Sequence, residues 1–310
     1  MTAYAPISPR DVVARIAEAI PAAARDRVIL IGSLAAGFHF FGDDADPIVR
    51  TKDVDCLLAP RVRAMGAARD IAESLLAAGW TYHPVKAFLA PGSSVTPSRD
   101  LPVVRLDPPG GSTWFLELLA AHADDDRNVK TNERLDTTFG YFALPSFRYL
   151  ALAERQPLPT PFGLRIARPE AMALANLLAH PAIEPELMSD PILGRRIKRS
   201  NKDLGRVIAI ATLSGEEMIA TWPEIWWSDL RACFGSEAAE LASRAGNGLR
   251  ELLASTSDLD EARHTCEWGL LASHPPTSEQ LRARGLRLIQ DAIEPLELLA
   301  RGSLANGGAS

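Results

Sequence analysis

Three cysteines in 310 residues (Cys56, Cys233, Cys266) are too few and too scattered for a disulfide scaffold, and no Cys-x-x-Cys pair offers a zinc site. They read as reduced structural thiols of a cytoplasmic protein. No apolar run approaches the ~18–20 residues of a membrane span. The opening Met-Thr-Ala-Tyr-Ala-Pro-Ile-Ser-Pro lacks the charged-then-apolar layout of a signal peptide. No membrane partner is therefore expected. There is no excess of positive charge either: 33 Lys and Arg stand against 39 Asp and Glu, a net charge of −6. That excludes a strongly basic, histone-like nucleic-acid binder but leaves a local basic patch open. His39, His83, His122, His180, His264 and His274 show no metal-ligand spacing. With no Gly-x-x-x-x-Gly-Lys-Ser/Thr loop and no Ser-His-Asp arrangement, the P-loop and common hydrolase classes fall away. No internal repeat is present.

What is there suits an ordinary globular protein: 47% hydrophobic and 23% charged residues. The length predicts two domains of about 100–200 residues each. Ser8 and Pro9 open an amphipathic helix that Pro21 closes. Arg27–Ile31 reads as a buried strand, and a short helix opens from it at Ser33. A loop rich in aspartate follows, Gly42 to Pro47. Asp53–Ala59 is the next strand, Met65–Ala78 a helix, and Trp80–Val85 and Leu101–Leu106 further strands. Thr113–Leu119 reads as a strand, with a helix as the alternative, and Thr137–Leu144 as one more strand. Beyond Gln156–Pro161 helical patterns dominate, over 169–180, 191–213, 236–254, 259–273 and 278–301. The expected organisation is α+β: an N-terminal sheet domain over 1–160, a helical domain over 161–303, and a flexible tail over 304–310.

Three features of the first domain belong together. Gly32-Ser33 sits at a strand-to-helix junction, where glycine lets a phosphate approach the backbone and free amides suit an anion. Alone, it reads more simply as a plain turn. Asp53-Val54-Asp55 places two carboxylates at i and i+2 of a strand, on one face, while Val54, Cys56 and Leu58 turn to the other. Two such acids repel unless a cation lies between them, and hard oxygen donors suit Mg²⁺; a solvated strand end is the bland reading. Glu117 is an acid inside an apolar segment and must be paired, hydrated or metal-bound, unless the segment is a helix and the acid faces water. Asp107, before Pro108-Pro109, competes as the third acid but reads as a turn residue at a strand end.

Ile31-Gly32-Ser33, a helix, and then Thr51-Lys52-Asp53-Val54-Asp55-Cys56 resemble the nucleotidyltransferases of the DNA polymerase beta superfamily. The spacing of 21 residues from Gly32 to Asp53 and the Thr-Lys-Asp-x-Asp string look most like the AbiEii-type branch, which includes toxins of toxin–antitoxin and abortive-infection systems. The resemblance is strong over about 27–60 and weaker over 113–119 and 165–210. It implies a mixed, partly antiparallel sheet flanked by helices and followed by a helical domain. It also implies two Mg²⁺ ions held by Asp53, Asp55 and Glu117, with Glu117 as metal ligand or general base. A nucleoside triphosphate such as ATP would then be bound by Gly32, Ser33, Thr51 and Lys52.

The second domain both follows the branch and departs from it. Arg168-Pro169-Glu170 resembles its Pro-Glu-led helix, but Asn176 stands where a lysine is common. Lys202-Asp203 resembles its Lys-Asp or Arg-Asp pair, but the aspartate that follows in the branch is absent, with Arg206 nearby. Lys202 or Arg168 would have to replace the missing lysine at the triphosphate.

The run Arg195–Lys202 carries five cations in eight residues and fits an RNA backbone, a triphosphate or a solvated helix face. Pro223–Trp227 fits base stacking or, more simply, helix packing. The expected activity is Mg²⁺-dependent transfer of a nucleoside monophosphate to an acceptor hydroxyl, with an RNA or tRNA 3′ end preferred and an antitoxin protein as a possible partner. The alternatives are an antibiotic-modifying type of small-molecule nucleotidyltransferase, and a degenerate fold that binds without turnover.

Overall fold

The computed structural model describes residues 6–42, 49–85, 88–122, 128–189, 191–192 and 194–307. The aspartate-rich loop beyond Gly42, the acids Asp124, Asp125 and Asp126, and the last three residues of the expected tail lie outside the described residues. The chain divides into two compact units between Arg168 and Pro169. The first is built on a mixed sheet and the second on helices. Among the described residues, no helix is long and apolar enough to cross a membrane.

In the first unit, Ser8 accepts the Asp11 amide and caps α1 (Pro9–Ala19), with Pro9 in its first turn. Next come α2 (Ala22–Arg25), β1 (Val28–Leu30), α3 (Gly32–Phe41), β2 (Asp53–Leu58) and α4 (Arg61–Ala77). The strands β3 (Thr81–Tyr82), β4 (Arg105–Asp107), β5 (Phe115–Ala121), β6 (Lys130–Thr137), β7 (Gly140–Phe147), β8 (Leu158–Pro159) and β9 (Arg165–Ile166) complete the sheet. Its order is β3-β4-β5-β2-β1-β9-β8, with β7 also beside β5 and β6 on β7. Strand β2 runs antiparallel to β1 and parallel to β5, so the sheet is mixed at its centre. Val28, Ile29, Leu30, Val54, Leu57 and Leu58 are fully buried there, each side chain contributing about 1.5–3 kcal/mol by leaving water. Helix α4 packs on β2, β5 and β6, and α1 packs on α3. Trp80 and Trp114 meet edge to face, with ring centroids 5.9 Å apart.

One strand expectation is corrected and one strand is unforeseen. The segment 137–144 is not one strand but the tip of a hairpin: Thr137 ends β6, Gly140 (φ 130°) opens β7, and Thr137 and Gly140 face each other across the turn. Strand β6 escapes a hydropathy reading because Leu135 is its one buried residue. Residues 113–119 do form a strand over most of their length, as β5.

The second unit holds α5 (Pro169–Ala179), α6 (Arg199–Ile219), α7 (Trp222–Phe234), α8 (Ala238–Arg244), α9 (Asn247–Ala254), α10 (Thr256–Trp268), α11 (Ser278–Leu288) and α12 (Glu294–Gly307). A π-helical turn, Ile289–Ile293, joins the last two. Helix α6 meets α5, α10 and α11, and α12 lies on α7 and α8. Trp222 and Trp226 of α7 are fully buried 5.2 Å apart, and Trp226 Nε1 donates to the Glu170 carbonyl at 2.9 Å. Trp226 therefore packs helices, the plainer of the two roles read from Pro223–Trp227, while Trp227 is half-buried.

The helix expected over 191–213 starts only at Arg199. Pro191 cannot donate to a helix, Gly194 sits at φ 82°, and Lys198 is extended at the cap position. The expected 236–254 helix is broken into α8 and α9. Helix α12 runs to Gly307, into the segment expected as a flexible tail.

Candidate functional site

The acids of β2 share one face because of the strand period. Asp53 and Asp55 are half-buried, while Val54 and Cys56 on the opposite face are sealed from water. The buried Cys56 thiol is pushed up by desolvation and, secondarily, by the Asp55 charge. Thr51 is buried and donates its hydroxyl to Asp53, at 2.8 Å to Oδ1 and 3.0 Å to the carbonyl oxygen. It thereby fixes the first carboxylate. The Lys52 carbonyl accepts the Phe115 amide at 2.8 Å, extending the β2–β5 ladder by one residue.

Register then assembles the rest. Asp53 lies opposite Phe115, and Asp55 opposite Glu117. On the far side of β5, Arg105 lies opposite the same Glu117. One row of one sheet face therefore reads Asp55, Glu117, Arg105. The Arg105 Nε donates to Glu117 Oε2 at 2.6 Å. Its guanidinium carbon stands 5.2 Å from the centre of the Phe115 ring. His83 stacks on Phe115 at 4.3 Å and is tied through Nδ1 to Asp107 Oδ1 at 2.8 Å. Burial pushes the Glu117 carboxyl up, with the Asp53 charge adding to it, while Arg105 and Lys130 pull the other way.

Gly32 closes the other side of the acids. It sits at φ 73°, and a Cβ placed there would stand 2.9 Å from Asp55 Oδ2. The glycine is thus required twice: by a backbone region that side chains avoid, and by the closeness of the carboxylate. Ser33 follows it, half-buried in the first turn of α3.

Asp53, Asp55, Glu117, Thr51, Lys52 and Gly32-Ser33 therefore belong to one part of the sheet unit. Arg168, at the end of that unit, donates through Nε to the Arg155 carbonyl at 3.2 Å. Lys202 and Asn176 belong to the helical unit. Asn176 turns its amide back to the Met172 carbonyl of its own helix at 2.9 Å. Beside Lys202, Asp203 is held by His180 Nε2 at 3.0 Å and by Arg206 at 3.5 Å.

The basic run is not a bare cationic stripe. Arg195 pairs with Asp260 at 2.7 Å, Lys198 with Asp258 at 2.7 Å and Arg199 with Glu186 at 3.4 Å. The buried Asn201 donates to both Asp258 and Glu261 at 2.8 Å. Two of the run's five cations are thus answered by acids of α10 and a third by Glu186.

Arg105 is the site residue that sequence reasoning missed. The available signal was the alternation Val104-Arg105-Leu106-Asp107, two charged positions a strand period apart between two buried ones.

Among the described residues, no group of three or more His, Cys, Asp or Glu side chains stands ready to hold a metal ion. Asp53 and Asp55 still fit Mg²⁺, which is commonly bound by one or two carboxylates and completed by water and substrate phosphate. The chain matches no known protein family, no curated protein and no solved structure.

Proposed function

We propose that the protein is a Mg²⁺-dependent nucleotidyltransferase that moves a nucleoside monophosphate from a nucleoside triphosphate to an acceptor hydroxyl. One observation carries the reading: Asp53 and Asp55 share a strand face directly beside Gly32, at the head of a helix, with Glu117 next in the row. Asp53 and Asp55 would hold the ion, which when bound neutralises phosphate charge and favours departure of pyrophosphate. Thr51 holds Asp53 in place. Gly32 and the amides opening α3 offer donors to a phosphate. Glu117 is the third acid of the sheet face, suited to accept the proton of the acceptor hydroxyl. Such transfers depend mainly on positioning and charge neutralisation, so few groups are needed.

The preferred acceptor is an RNA 3′ end, as in a toxin, and this rests on the resemblance. The run at 195–202 adds little, since three of its cations are paired with acids. One second reading has an observation of its own: a nucleotide-binding protein without turnover, favoured by the Glu117 oxygen given to Arg105 and by Asn176 facing its own helix.

The test is incubation with each α-labelled nucleoside triphosphate, Mg²⁺, total RNA and protein extract, beside the Asp53→Ala/Asp55→Ala double variant. Label in RNA supports the preferred acceptor, and label in a small product or in protein reassigns it. Binding without label transfer supports the second reading. Equal labelling by the double variant overturns the site.

A further inference from the structure

We propose that Arg105 is the residue that grips the triphosphate, with Glu117 as its anchor. The inference rests on the nucleotidyltransferase reading of the same site and adds its missing cation.

The acids at the site need a positive partner for the phosphate chain, and the helix position where a lysine was expected carries Asn176, whose amide is engaged with Met172. The sheet face that bears the acids carries a cation of its own. Arg105, Glu117 and Asp55 are successive cross-strand neighbours, so their side chains leave the sheet on the same side.

The hold on Arg105 is specific. Its Nε is fixed by Glu117 Oε2 at 2.6 Å, and its guanidinium carbon lies over Phe115, on which His83 stacks, itself held by Asp107. Among the described residues, the bond to Glu117 is the guanidinium's one hydrogen bond. The side chain keeps 31% of its exposure. The two terminal nitrogens, Nη1 and Nη2, thus carry no hydrogen bond among the described residues, on a stem held at Nε. A planar fork of this kind matches a phosphate's paired oxygens, which a lysine ammonium meets only as a point charge. Because the stem is already ordered, little freedom remains to be lost on binding.

A purely structural role would also explain the ion pair, and it makes a different prediction. If Arg105 only neutralises Glu117, lysine replaces it without loss of anion binding. If it grips phosphate with its fork, lysine does not.

The probe is sodium tripolyphosphate, titrated calorimetrically into the full chain with Mg²⁺ present. The variants are Arg105→Lys, Arg105→Gln and Asp53→Asn/Asp55→Asn, each checked by thermal melting. Arg105→Lys is expected to weaken binding about tenfold, the worth of one charge-assisted hydrogen bond, and Arg105→Gln by at least as much. Mn²⁺ binding without phosphate, followed by electron paramagnetic resonance, is expected to survive in both. If Arg105→Gln does not fold, Arg105→Lys decides alone. Wild-type affinity in Arg105→Lys, with Mg²⁺-dependent binding lost in the double Asp variant, overturns the role of Arg105 and leaves the enzyme reading standing. Failure of the unaltered protein to bind tripolyphosphate overturns both.

Discussion

Asp55 and Glu117 face each other directly across the parallel β2–β5 ladder, although 62 residues of chain separate them. A slip of one residue in that pairing would flip one strand and carry its acid into the core, away from the other. The fully buried Val54, Cys56, Leu116 and Leu118 forbid the slip. The geometry of the acids is thus secured by apolar residues on the reverse of the same strands. Removing either β2 acid should weaken Mn²⁺ binding about tenfold or more, since a hard cation loses one of two charged oxygen ligands. Asp53→Asn and Asp55→Asn, followed by electron paramagnetic resonance, test this. Undiminished Mn²⁺ binding in either would remove that acid from the site.

Gly32→Ala should damage both stability and metal binding. The positive φ strains any side chain by roughly 1–2 kcal/mol, and the added methyl presses on Asp55 Oδ2. A loss of this size lowers the melting temperature by about 2–4 °C per kcal/mol in a protein unit of ~150–250 residues. Calorimetry gives the first quantity and Mn²⁺ titration the second. Alanine tolerated without effect on either would show that the junction is not under this constraint.

Acid should destabilise the helical unit through Asp203. Burial alone would raise this carboxyl, but the hydrogen bond from His180 and the charges of Arg206 and Lys202 hold it far below its ordinary 3.8. The folded state therefore binds this proton less readily than the unfolded chain. The stabilisation is complete above the ordinary carboxylate range and fades as pH falls below it. Asp203→Asn should cost about 3 kcal/mol at pH 7, the scale for breaking a buried pair. The gap between the two proteins should narrow as pH drops below 3.8. Urea unfolding at a series of pH values measures it, and a gap constant with pH would contradict the linkage.

Thiol chemistry should separate the cysteines. Cys56 and Cys266 are buried, and the Cys266 thiol, donating to the Gly205 carbonyl at 3.2 Å, is pushed by desolvation to about 12. Cys233 is half-buried on α7. A disulfide reagent at neutral pH should titrate at most one thiol in the folded protein and all three in guanidinium. Rapid reaction of two or more without denaturant would show that the buried pair is exposed in solution.

The site was legible in sequence where its geometry is local. A strand period puts Asp53 and Asp55 on one face whatever surrounds them, and a glycine at a strand-to-helix junction signals unusual backbone. Arg105 was not legible, because its partnership with Glu117 depends on the register of a pair closed through Pro108–Gly111. The run at 195–202 shows the converse. Its charges are close in sequence, but the acids that answer three of them lie at Glu186, Asp258 and Asp260. Strand β6 failed on composition: a strand with one buried residue leaves no apolar alternation to find, and only its hairpin with β7 defines it.

The two tryptophan pairs give the halves separate optical signatures. Trp80–Trp114 absorbs and emits from within the sheet unit, and Trp222–Trp226 from within the helical unit. Indole rings at these separations are close enough for their transitions to couple. Replacing Trp80 and Trp114 with phenylalanine would leave tryptophan only in the helical unit, at 222, 226, 227 and 268, so that the melting of that half could be followed by fluorescence and near-ultraviolet dichroism without cutting the chain.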